Sequence, residues 1–501
     1  MRSFSLGLVF LIACSDNGSG SGDDQSPTDG PPVVLTPAGV LDADHSTIVH
    51  ITWSTPEPMS GWVEFGLDGA FDKVSPAVTA TDHVHQALGL KAGRTYTWRA
   101  VVQDGDKIVK SDPQSVDIPP APSELPTFHL VTLDPDADVH DAYISVAGAA
   151  APGSGAESPS ALYYVAFIDA EGDYVWYHTL PFGRGTSALD VSLDGKSVWW
   201  LEIDNFRQDL ASTIFRMTLD GTVLSETYAD SGHHAAVEMS DGRFAFLGRR
   251  FSPGDGTQTL MSDRVLIATE GDTTGAQSVE LFDYLDDWWE GEFSYPWIDF
   301  DPPIDEVYGY KNVVDLTHSN SIAWIEAENA VYPYARLLDT LLKIDVDTGA
   351  LEWQMSGLHS DFTFPDGDPV YVDQYNSHLW SWGHYSQIWQ GGLMMFDNGS
   401  NYQPPVSSIV EIAYDEATGT AEEVFRYIDP EGGWTNSLGD VWKLPSGNYV
   451  ASWMSIYKLT EVTPDGDVVW RLDPENGTAV RRIRLVTDLY SLTPLPLPSG
   501  G

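Results

Sequence analysis

The stretch KLPSGNYVASW (443–453), followed by EVTPDGDVVW (461–470), decides the fold. In each phrase a tight turn, at Gly447 and at Gly466, leads into an apolar run that ends in tryptophan. Such runs predict β-strands joined by hairpins, because glycine suits the turn and flat rings cover a pleated surface. Helical periodicity is nearly absent, so the sequence predicts an all-β protein.

The same two phrases recur between residues 121 and 490. VSLDGKSVWWL, EMSDGRFAFL and IWQGGLMMF repeat the first, and IDAEGDYVW, MTLDGTVL and IDVDTGALEW repeat the second. Landmark glycines recur at intervals of roughly 50 residues, as from Gly172 to Gly221. Paired hairpins at this period are typical of a β-propeller with four strands per blade. The length favours a six-bladed β-propeller and leaves seven blades open. The interruption Asp283–Tyr310 is expected to lie over one face.

Residues 31–120 precede the repeats and carry short alternating runs separated by Gly, Pro and Asp turns. They predict an N-terminal β-sandwich with Trp53 in its core, and they resemble a fibronectin type III-like domain. Tyr96 is expected at a tyrosine corner, and His83 and His85 are expected to be solvent-facing or edge-strand residues. Residues 491–501 are interpreted as a C-terminal tail.

Residues 1–13 predict a lipoprotein signal peptide, and residues 14–30 a flexible tether rich in Gly, Ser and Asp. The run LIAC resembles a bacterial lipobox and makes Cys14 the expected lipidation site; an ordinary signal peptide with a chance cysteine is the alternative. Cys14 is the only cysteine, so no intrachain disulfide can form. We expect a cell-envelope lipoprotein of the outer membrane, whose folded part is periplasmic or surface-exposed. It is expected to contact the membrane only through its lipid anchor.

The chain is strongly acidic, with 74 Asp and Glu against 25 Lys and Arg and a formal net charge of −49. Such a field repels nucleic acid, so we expect no nucleic-acid partner. The acidity is spread along the chain, which fits solubility in a salty medium as readily as any partner. No phosphate-binding glycine loop is found, and we expect no cofactor.

Three histidine segments lie in separate copies of the repeat: HHAAVEMSDG (His233 and His234), DLTHSNSIAW (His318) and GHYSQIWQGGLMMFDNG (His384). Arg336 follows the middle segment. Equivalent places in a radial repeat converge on one axis, so one site can be built from distant parts of the sequence. Three imidazoles also suit zinc or copper, but no His-x-His spacing supports a metal and a nearby arginine disfavours a cation. We expect none.

These motifs resemble those of the bacterial arylsulfate sulfotransferases, which are propeller enzymes that do not use PAPS. The likeness covers most of Leu162–Leu472, and the FDNG that ends the His384 segment is its most specific part. The resemblance implies that His384 is the nucleophile and that His234, His318 and Arg336 are its catalytic partners. It also implies a phenolic sulfate donor, a phenolic acceptor and ping-pong transfer through a sulfohistidine. GHYS and HHAA depart from the family pattern, so His233 remains an alternative to His234.

The chemistry agrees with that assignment. By analogy with phosphoryl transfer, a sulfuryl group in flight spreads negative charge over three oxygens, which fixed cationic donors stabilise. A neutral imidazole is a competent nucleophile near neutral pH. Asn320, Trp382 and Trp389 are the candidate substrate-binding residues. Asn320 is expected to help orient His318, with hydrogen bonding to the backbone as the alternative. Trp382 and Trp389 are expected to stack on an aryl ring, with core packing as the alternative for each. A non-catalytic binding propeller and an aryl sulfate hydrolase are the rival functions, and a homodimer is left open.

Overall fold

The computed structural model describes residues 33–150, 162–186, 188–204, 210–254, 258–288, 304–356, 360–364, 380–475 and 480–496. The predicted signal peptide and tether, with Cys14, lie outside these residues. So do residues 289–303 of the long interruption and residues 497–501 of the predicted tail.

Seven antiparallel strands form the N-terminal unit. They are β1 Ala38–Leu41, β2 Val49–Leu67, β3 Lys73–Val74, β4 Val78–Ala87, β5 Thr95–Asp104, β6 Lys107–Lys110 and β7 Gln114–Asp117. The long β2 pairs with β1, β3, β4 and β5, and β5 pairs in turn with β6 and β7. Trp53 is buried in the core of this unit, as predicted. The Tyr96 hydroxyl accepts a hydrogen bond from the Lys91 backbone N–H at 3.0 Å, the contact of a tyrosine corner. The fibronectin type III likeness stays a prediction.

His83 and His85 lie on an edge strand, one of the two expectations from sequence, but they are not solvent-facing, which corrects the other. Both lie on β4, which pairs with β2 alone among the described strands, and both are buried. Their rings stack on Trp53 with centroids 4.6 and 4.8 Å away. The flat face of the indole therefore takes up both imidazoles, and burial lowers the pKa of His85 to about 4.

Six further sheets follow along the chain, and we number them first to sixth. Their orders are β11-β10-β9-β35; β12-β14-β15-β16 with β13 on β14; β17-β18-β19-β22-β21 with β20 on β19; β23-β24-β25-β26; β27-β28-β29-β30; and β31-β32-β33-β34-β8. Pairing is antiparallel throughout these sheets except between β19 and β22. The described residues are thus almost wholly β structure, and the all-β prediction is confirmed.

The strand bounds are β8 Phe128–Leu133, β9 Tyr143–Ala150, β10 Leu162–Ile168, β11 Tyr174–Leu180, β12 Arg184–Gly185, β13 Asp190–Val191, β14 Val198–Asp204, β15 Ala211–Met217, β16 Val223–Asp230, β17 Gly232–Glu238, β18 Arg243–Pro253, β19 Thr259–Thr269, β20 Val279–Asp283, β21 Ile304–Val307, β22 Tyr310–Asp315, β23 Ser319–Ile325, β24 Ala330–Ala335, β25 Thr340–Asp345, β26 Leu351–Ser356, β27 His384–Trp389, β28 Gly392–Asp397, β29 Ser408–Asp415, β30 Thr420–Ile428, β31 Asp440–Lys443, β32 Tyr449–Trp453, β33 Lys458–Val462, β34 Val468–Pro474 and β35 Arg484–Val486. A π-helical turn spans Tyr284–Trp288, and 3-10 turns span Glu326–Glu328, Arg336–Leu338 and Met454–Ile456. Within the described part of the chain, no helix is long and apolar enough to cross a membrane.

The six sheets pack in a cyclic order. Five separate apolar clusters join consecutive sheets: the first to the second, the second to the third, the third to the fourth, the fourth to the fifth and the fifth to the sixth. A sixth cluster joins the sixth sheet to the first, with Trp470 and Tyr164 among its fully buried rings. Strand pairing reinforces this junction, since the early β8 completes the sixth sheet and the late β35 completes the first. This cyclic packing is the arrangement of a six-bladed β-propeller.

The first strands of the third, fourth, fifth and sixth sheets line the centre of this ring. β17 lies beside β23, β23 beside β27, and β27 beside β31. Their directions agree, because Asn320 at the start of β23 donates to the carbonyl of Gly383 at 2.9 Å, and Ser321 meets Ser386 one step further along at 2.8 Å. The beginnings of these strands therefore meet at one end of the central axis.

Candidate functional site

Each of the three histidine segments begins an inner strand with an irregularity. Pairing with the second strand is interrupted between Gly232 and Ala236 in β17, between Ser319 and Ser321 in β23, and between His384 and Gln387 in β27. His234, His318 and Tyr385 adopt positive φ values of 53°, 47° and 47° at these places. Bulges of this kind re-aim side chains out of the regular alternation. The histidines can thus point along the axis instead of into a blade.

The structure brings His233, His234 and His318 together. The ring centroids of His234 and His318 lie 4.9 Å apart, and Nδ1 of His233 is 2.8 Å from Nδ1 of His234. Burial lowers the pKa of His234 well below its usual value, and the neighbouring His318 and His233 lower it further. A buried cluster of imidazoles resists protonation because each added charge is desolvated and repelled by the others.

Two carboxylates stand behind these imidazoles. Nε2 of His233 lies 2.9 Å from Asp263 Oδ1, and Nδ1 of His318 donates to Asp315 Oδ2 at 2.6 Å. Burial raises the pKa of Asp263, but His233 and a 2.6 Å hydrogen bond from Thr317 outweigh burial and hold the pKa below its usual value. Each carboxylate fixes the orientation of one ring, as partners of catalytic histidines do.

His384 and Arg336 form the other half of the site. His384 is buried, and its Nδ1 hydrogen-bonds Oδ1 of Asn398 at 2.6 Å. Burial and then the charge of Arg336 lower the pKa of His384 well below its usual value. The Arg336 guanidinium lies 4.9 Å from the centre of the Trp382 ring and donates from Nη2 to the Asn436 carbonyl at 3.2 Å. At neutral pH the imidazole is therefore uncharged beside a fixed cation.

A cavity of ≈ 220 Å³ opens at this end of the axis. His234, His318 and Arg336 line it, and a second guanidinium, that of Arg249, lies 5.3 Å from the centre of the Tyr308 ring. The lining residues His233, Asp263 and Asp315 add polar groups, and Met261, Ile304, Val307, Val313 and Leu337 add an apolar wall. Arg336 and His318, two of the lining residues, lower the pKa of the nearby His384 imidazole.

The apolar wall comes from an extension of the third sheet. The hairpin of β18 and β19 continues past the start of β17, where Gly232 pairs with Gly248, and β22 and β21 attach to that extension. Strand β21 lies in the C-terminal part of the interruption Asp283–Tyr310, which the sequence predicted to lie over one face. Ile304 and Val307 of this strand face the cavity.

The predicted substrate-binding residues fall in three different places. Asn320 is fully buried, and its amide braces β27 through the Gly383 carbonyl. Trp382 packs against Arg336, and its backbone N–H donates to Asp339 Oδ1 at 2.5 Å. Trp389 ends β27, the strand that His384 begins, and packs in the apolar cluster between the fifth and sixth sheets. The structure therefore brings Trp382 to the site and leaves Trp389 away from the cavity.

Sequence reasoning missed four polar residues of this site. Arg249 lies in the β18 segment next to Arg250, in a chain that is poor in basic residues, which was an available signal. Asp315 precedes His318 by three positions and could have been suspected from that spacing. Asp263 and Asn398 reach their histidines across strand pairs, and nothing in their local sequence announces the contact.

Among the described residues, the imidazole cluster does not place three metal-ligand atoms within reach of one ion. Among the described residues, only Asp169, Glu171 and Asp173 bring three ligand atoms within reach of one ion. Lys91 contacts all three carboxylates, at 2.8 Å from Asp169 and 3.1 Å from Asp173. Its ammonium group satisfies this acidic turn and ties the N-terminal unit to the first sheet.

Comparison with known families decides the relationship. Residues 156–457 match the arylsulfotransferase (ASST) family. The chain belongs to this arylsulfotransferase family. The match includes the third, fourth and fifth sheets, which hold the imidazoles, Arg336 and Asn398. Membership supports a sulfotransferase enzyme in general terms, and no curated protein matches the chain.

Solved structures resemble the chain only distantly. A protein of unknown function from Bacteroides caccae is 12% identical with a TM-score of 0.40, over 71% of this chain and 99% of that one. A catalytically inactive virginiamycin B lyase from Staphylococcus aureus, solved with quinupristin, is 14% identical with a TM-score of 0.33, over 68% of this chain and 87% of that one. Likenesses at this level support no functional conclusion.

Proposed function

We propose that this arylsulfotransferase moves a sulfuryl group from an aryl sulfate to a phenolic acceptor through a covalent intermediate on His384. One observation carries the proposal. Histidines stand at the beginnings of three adjacent inner strands: the rings of His234 and His318 lie 4.9 Å apart, and the charge of Arg336 acts on His384. Family membership supports the same chemistry.

The charges of the cavity suit a sulfate ester. Arg336 and Arg249 present two guanidinium groups in a chain whose formal net charge is −49. No carboxylate among the described residues forms an ion pair with Arg249, and the two carboxylates of the cavity, Asp263 and Asp315, are each engaged by an imidazole. An anion is therefore attracted locally, although the protein as a whole repels it.

The transfer proceeds in two displacements. In the first, the free nitrogen of His384 attacks sulfur, an N–S bond forms, and the S–O bond to the aryl group breaks. The leaving phenolate, whose conjugate acid has a pKa of about 10, takes a proton from His318, whose Nδ1 faces the Asp315 carboxylate. In the second, a phenol returns a proton to that imidazole while its oxygen attacks sulfur, the N–S bond breaks, and His384 is regenerated.

The apolar wall provides for the aryl ring. Tyr308, Val307 and Val313 line the cavity. A flat ring placed there is taken out of water, and each buried CH group contributes in proportion to its area. The sulfuryl oxygens then point at the guanidinium and imidazole donors.

Turnover of 4-nitrophenyl sulfate tests the proposal. With phenol present, the protein should release nitrophenol and form phenyl sulfate; without an acceptor, it should release about one equivalent and retain an acid-labile sulfuryl group. His384→Ala should abolish both results. His129→Ala is the matched control, because His129 is exposed on β8 and pairs with the partly exposed Glu475. Nitrophenol release by His384→Ala equal to that of the wild type would refute the sulfohistidine intermediate. Binding of the aryl sulfate without nitrophenol release would favour a non-catalytic propeller. Formation of free sulfate instead of phenyl sulfate would favour a hydrolase.

We also propose that Cys14 anchors the protein in the cell envelope as a lipoprotein. The support is the LIAC sequence before a polar tether of about 16 residues, long enough to hold a folded unit clear of a membrane. Metabolic labelling with a radioactive fatty acid should mark the wild-type protein and not Cys14→Ala. Recovery of unlabelled wild-type protein from the membrane-free fraction would contradict the anchor.

A further inference from the structure

The amide of Asn398 has only one orientation available to it. Asn398 is fully buried, and its Nδ2 donates to the carbonyls of Thr435 at 2.6 Å and Leu438 at 2.9 Å. Both partners are acceptors only, so a reversed amide would set its oxygen against two other oxygens. Oδ1 must therefore be the atom that faces Nδ1 of His384, 2.6 Å away.

This orientation fixes which nitrogen of His384 carries the proton. An amide oxygen only accepts, so Nδ1 of the imidazole has to donate. A neutral imidazole holds a single N–H, and burial and Arg336 keep this ring neutral by lowering its pKa. The lone pair is then left on Nε2.

We propose that Asn398 is a positioning residue that holds His384 in the Nδ1–H tautomer and so makes Nε2 the nucleophilic nitrogen. The role as nucleophile rests on the proposed function; the tautomer does not. In the opposite tautomer the lone pair would face Asn398, and Nε2 would carry the proton and be unable to attack sulfur.

A neutral partner distinguishes His384 from the other imidazoles of the site. His318 faces the carboxylate of Asp315, and His233 faces that of Asp263. A carboxylate stabilises an imidazolium, which suits a proton donor, whereas an amide leaves a nucleophile uncharged. The same residue type thus takes different roles because the group that contacts the ring differs.

The rest of the FDNG motif keeps Asn398 in place. Asp397 accepts hydrogen bonds from the backbone N–H groups of Ser381 and Gly399 at 2.8 and 2.9 Å, which ties the turn to the segment before His384. Gly399 has a φ of 61°, and an added Cβ would overlap the Val406 carbonyl oxygen. The residues of the motif therefore act together to fix the position of the Asn398 amide oxygen.

Several charged and titratable groups also act on the His384 ring. Arg336 and His318 lower its pKa, His384 in turn lowers that of His234, and the Tyr385 ring lies 5.8 Å away, centroid to centroid. A change at Asn398 leaves all four in place. An altered pH profile in an Asn398 variant would therefore report the loss or replacement of the amide.

Nitrogen NMR of the 15N-histidine-labelled protein tests the tautomer directly. The His384 resonances, assigned by their loss in His384→Ala, should show a protonated Nδ1 and an unprotonated Nε2 in the wild type. A protonated Nε2 in the neutral wild-type ring would overturn the proposal even if the enzyme turned over normally. The same spectrum is informative if no turnover is found, so failure of the proposed function would be distinguishable.

Two variants test the consequence for activity. Asn398→Ala should lower kcat roughly 10- to 100-fold, the range known for outer partners that orient histidines, while KM for 4-nitrophenyl sulfate changes little. Asn398→Asp should place a carboxylate at Nδ1 and move the acid limb of the pH profile to higher pH. Asn448→Ala is the matched control, because Asn448 is also buried and donates to Glu461 in the sixth sheet. A folded Asn398→Ala with unchanged kcat would refute the positioning role.

Discussion

Replacing Arg336 with methionine is the sharpest perturbation of the site. The side chain is 8% exposed, stacks on Trp382 and donates to the Asn436 carbonyl. Methionine keeps most of the apolar stem but removes the positive charge and the donors. The change should therefore act both on the transition state and on the proton affinity of His384.

The magnitude follows from what the guanidinium does in a buried site. Removing one fixed donor from developing negative charge costs about 3 kcal/mol, or roughly 10²- to 10³-fold in kcat/KM. The lost hydrogen bond and the lost cation–π contact together should lower the free energy of unfolding by about 2–4 kcal/mol. Arg336→Lys keeps the charge without the planar fork, so its kcat/KM should fall between those of the wild type and Arg336→Met.

The pH profile provides an independent readout of the same change. Burial and then Arg336 lower the pKa of His384, so removing the charge should raise that pKa. Because an imidazolium has no lone pair, the acid limb of kcat/KM should move to higher pH in Arg336→Met. The direction of this shift does not depend on how much activity is lost.

The assay is release of nitrophenol from 4-nitrophenyl sulfate with phenol, followed from about pH 5 to 9, with thermal melting to establish folding. Arg216→Met is the matched control, since Arg216 pairs with Glu238 and Glu270 away from the cavity. The control should lose stability without moving the acid limb. An acid limb that stays in place in folded Arg336→Met would refute the electrostatic coupling to His384.

Three further predictions follow from buried charge, backbone strain and net charge. Burial raises the pKa of Asp339 to about 8, so between about pH 4 and 8 the folded state holds a proton that the unfolded state releases. The free energy of unfolding should therefore fall as the pH rises through this range. Urea denaturation of Asp339→Asn should show a free energy of unfolding that depends less on pH. Gly399→Ala should cost more than about 2 kcal/mol in chemical denaturation, whereas Gly432→Ala, with φ 74° and open space around the added Cβ, should cost only about 1 kcal/mol. Moderate added salt should raise kcat/KM for an aryl sulfate by screening the net charge of −49, and a steep fall would contradict adverse steering.

Much of the fold could be predicted because its signal is local. The turn glycines and alternating strands gave the class and the repeat, and the ring of sheets follows from that repeat. The burial of His83 and His85 could not be predicted in the same way. Strand alternation places them on one face of β4, but only the packing of Trp53 from β2 decides that this face is covered.

The site was predictable to the extent that its residues begin strands. His234, His318 and His384 stand at equivalent places in the repeat, so their convergence follows from the fold. Trp389 was assigned by its nearness to His384 in sequence, yet five residues of extended strand separate the two by roughly 16 Å. Asn398 was part of a motif seen in the sequence, but its role depends on a contact between neighbouring strands β27 and β28.

The backbone at the site is strained at three residues at the beginnings of inner strands. A left-handed conformation costs a non-glycine residue roughly 1–2 kcal/mol, and His234, His318 and Tyr385 each adopt one at the start of an inner strand. Burying a single large apolar side chain contributes about 1.5–3 kcal/mol, so each flanking cluster easily offsets one such residue. Relaxing these residues to a regular strand would stabilise the backbone and turn the imidazoles away from one another. The strain is therefore best understood as the cost of aiming three imidazoles at one anion, and it should be absent from a propeller of the same class whose inner strands carry no such site.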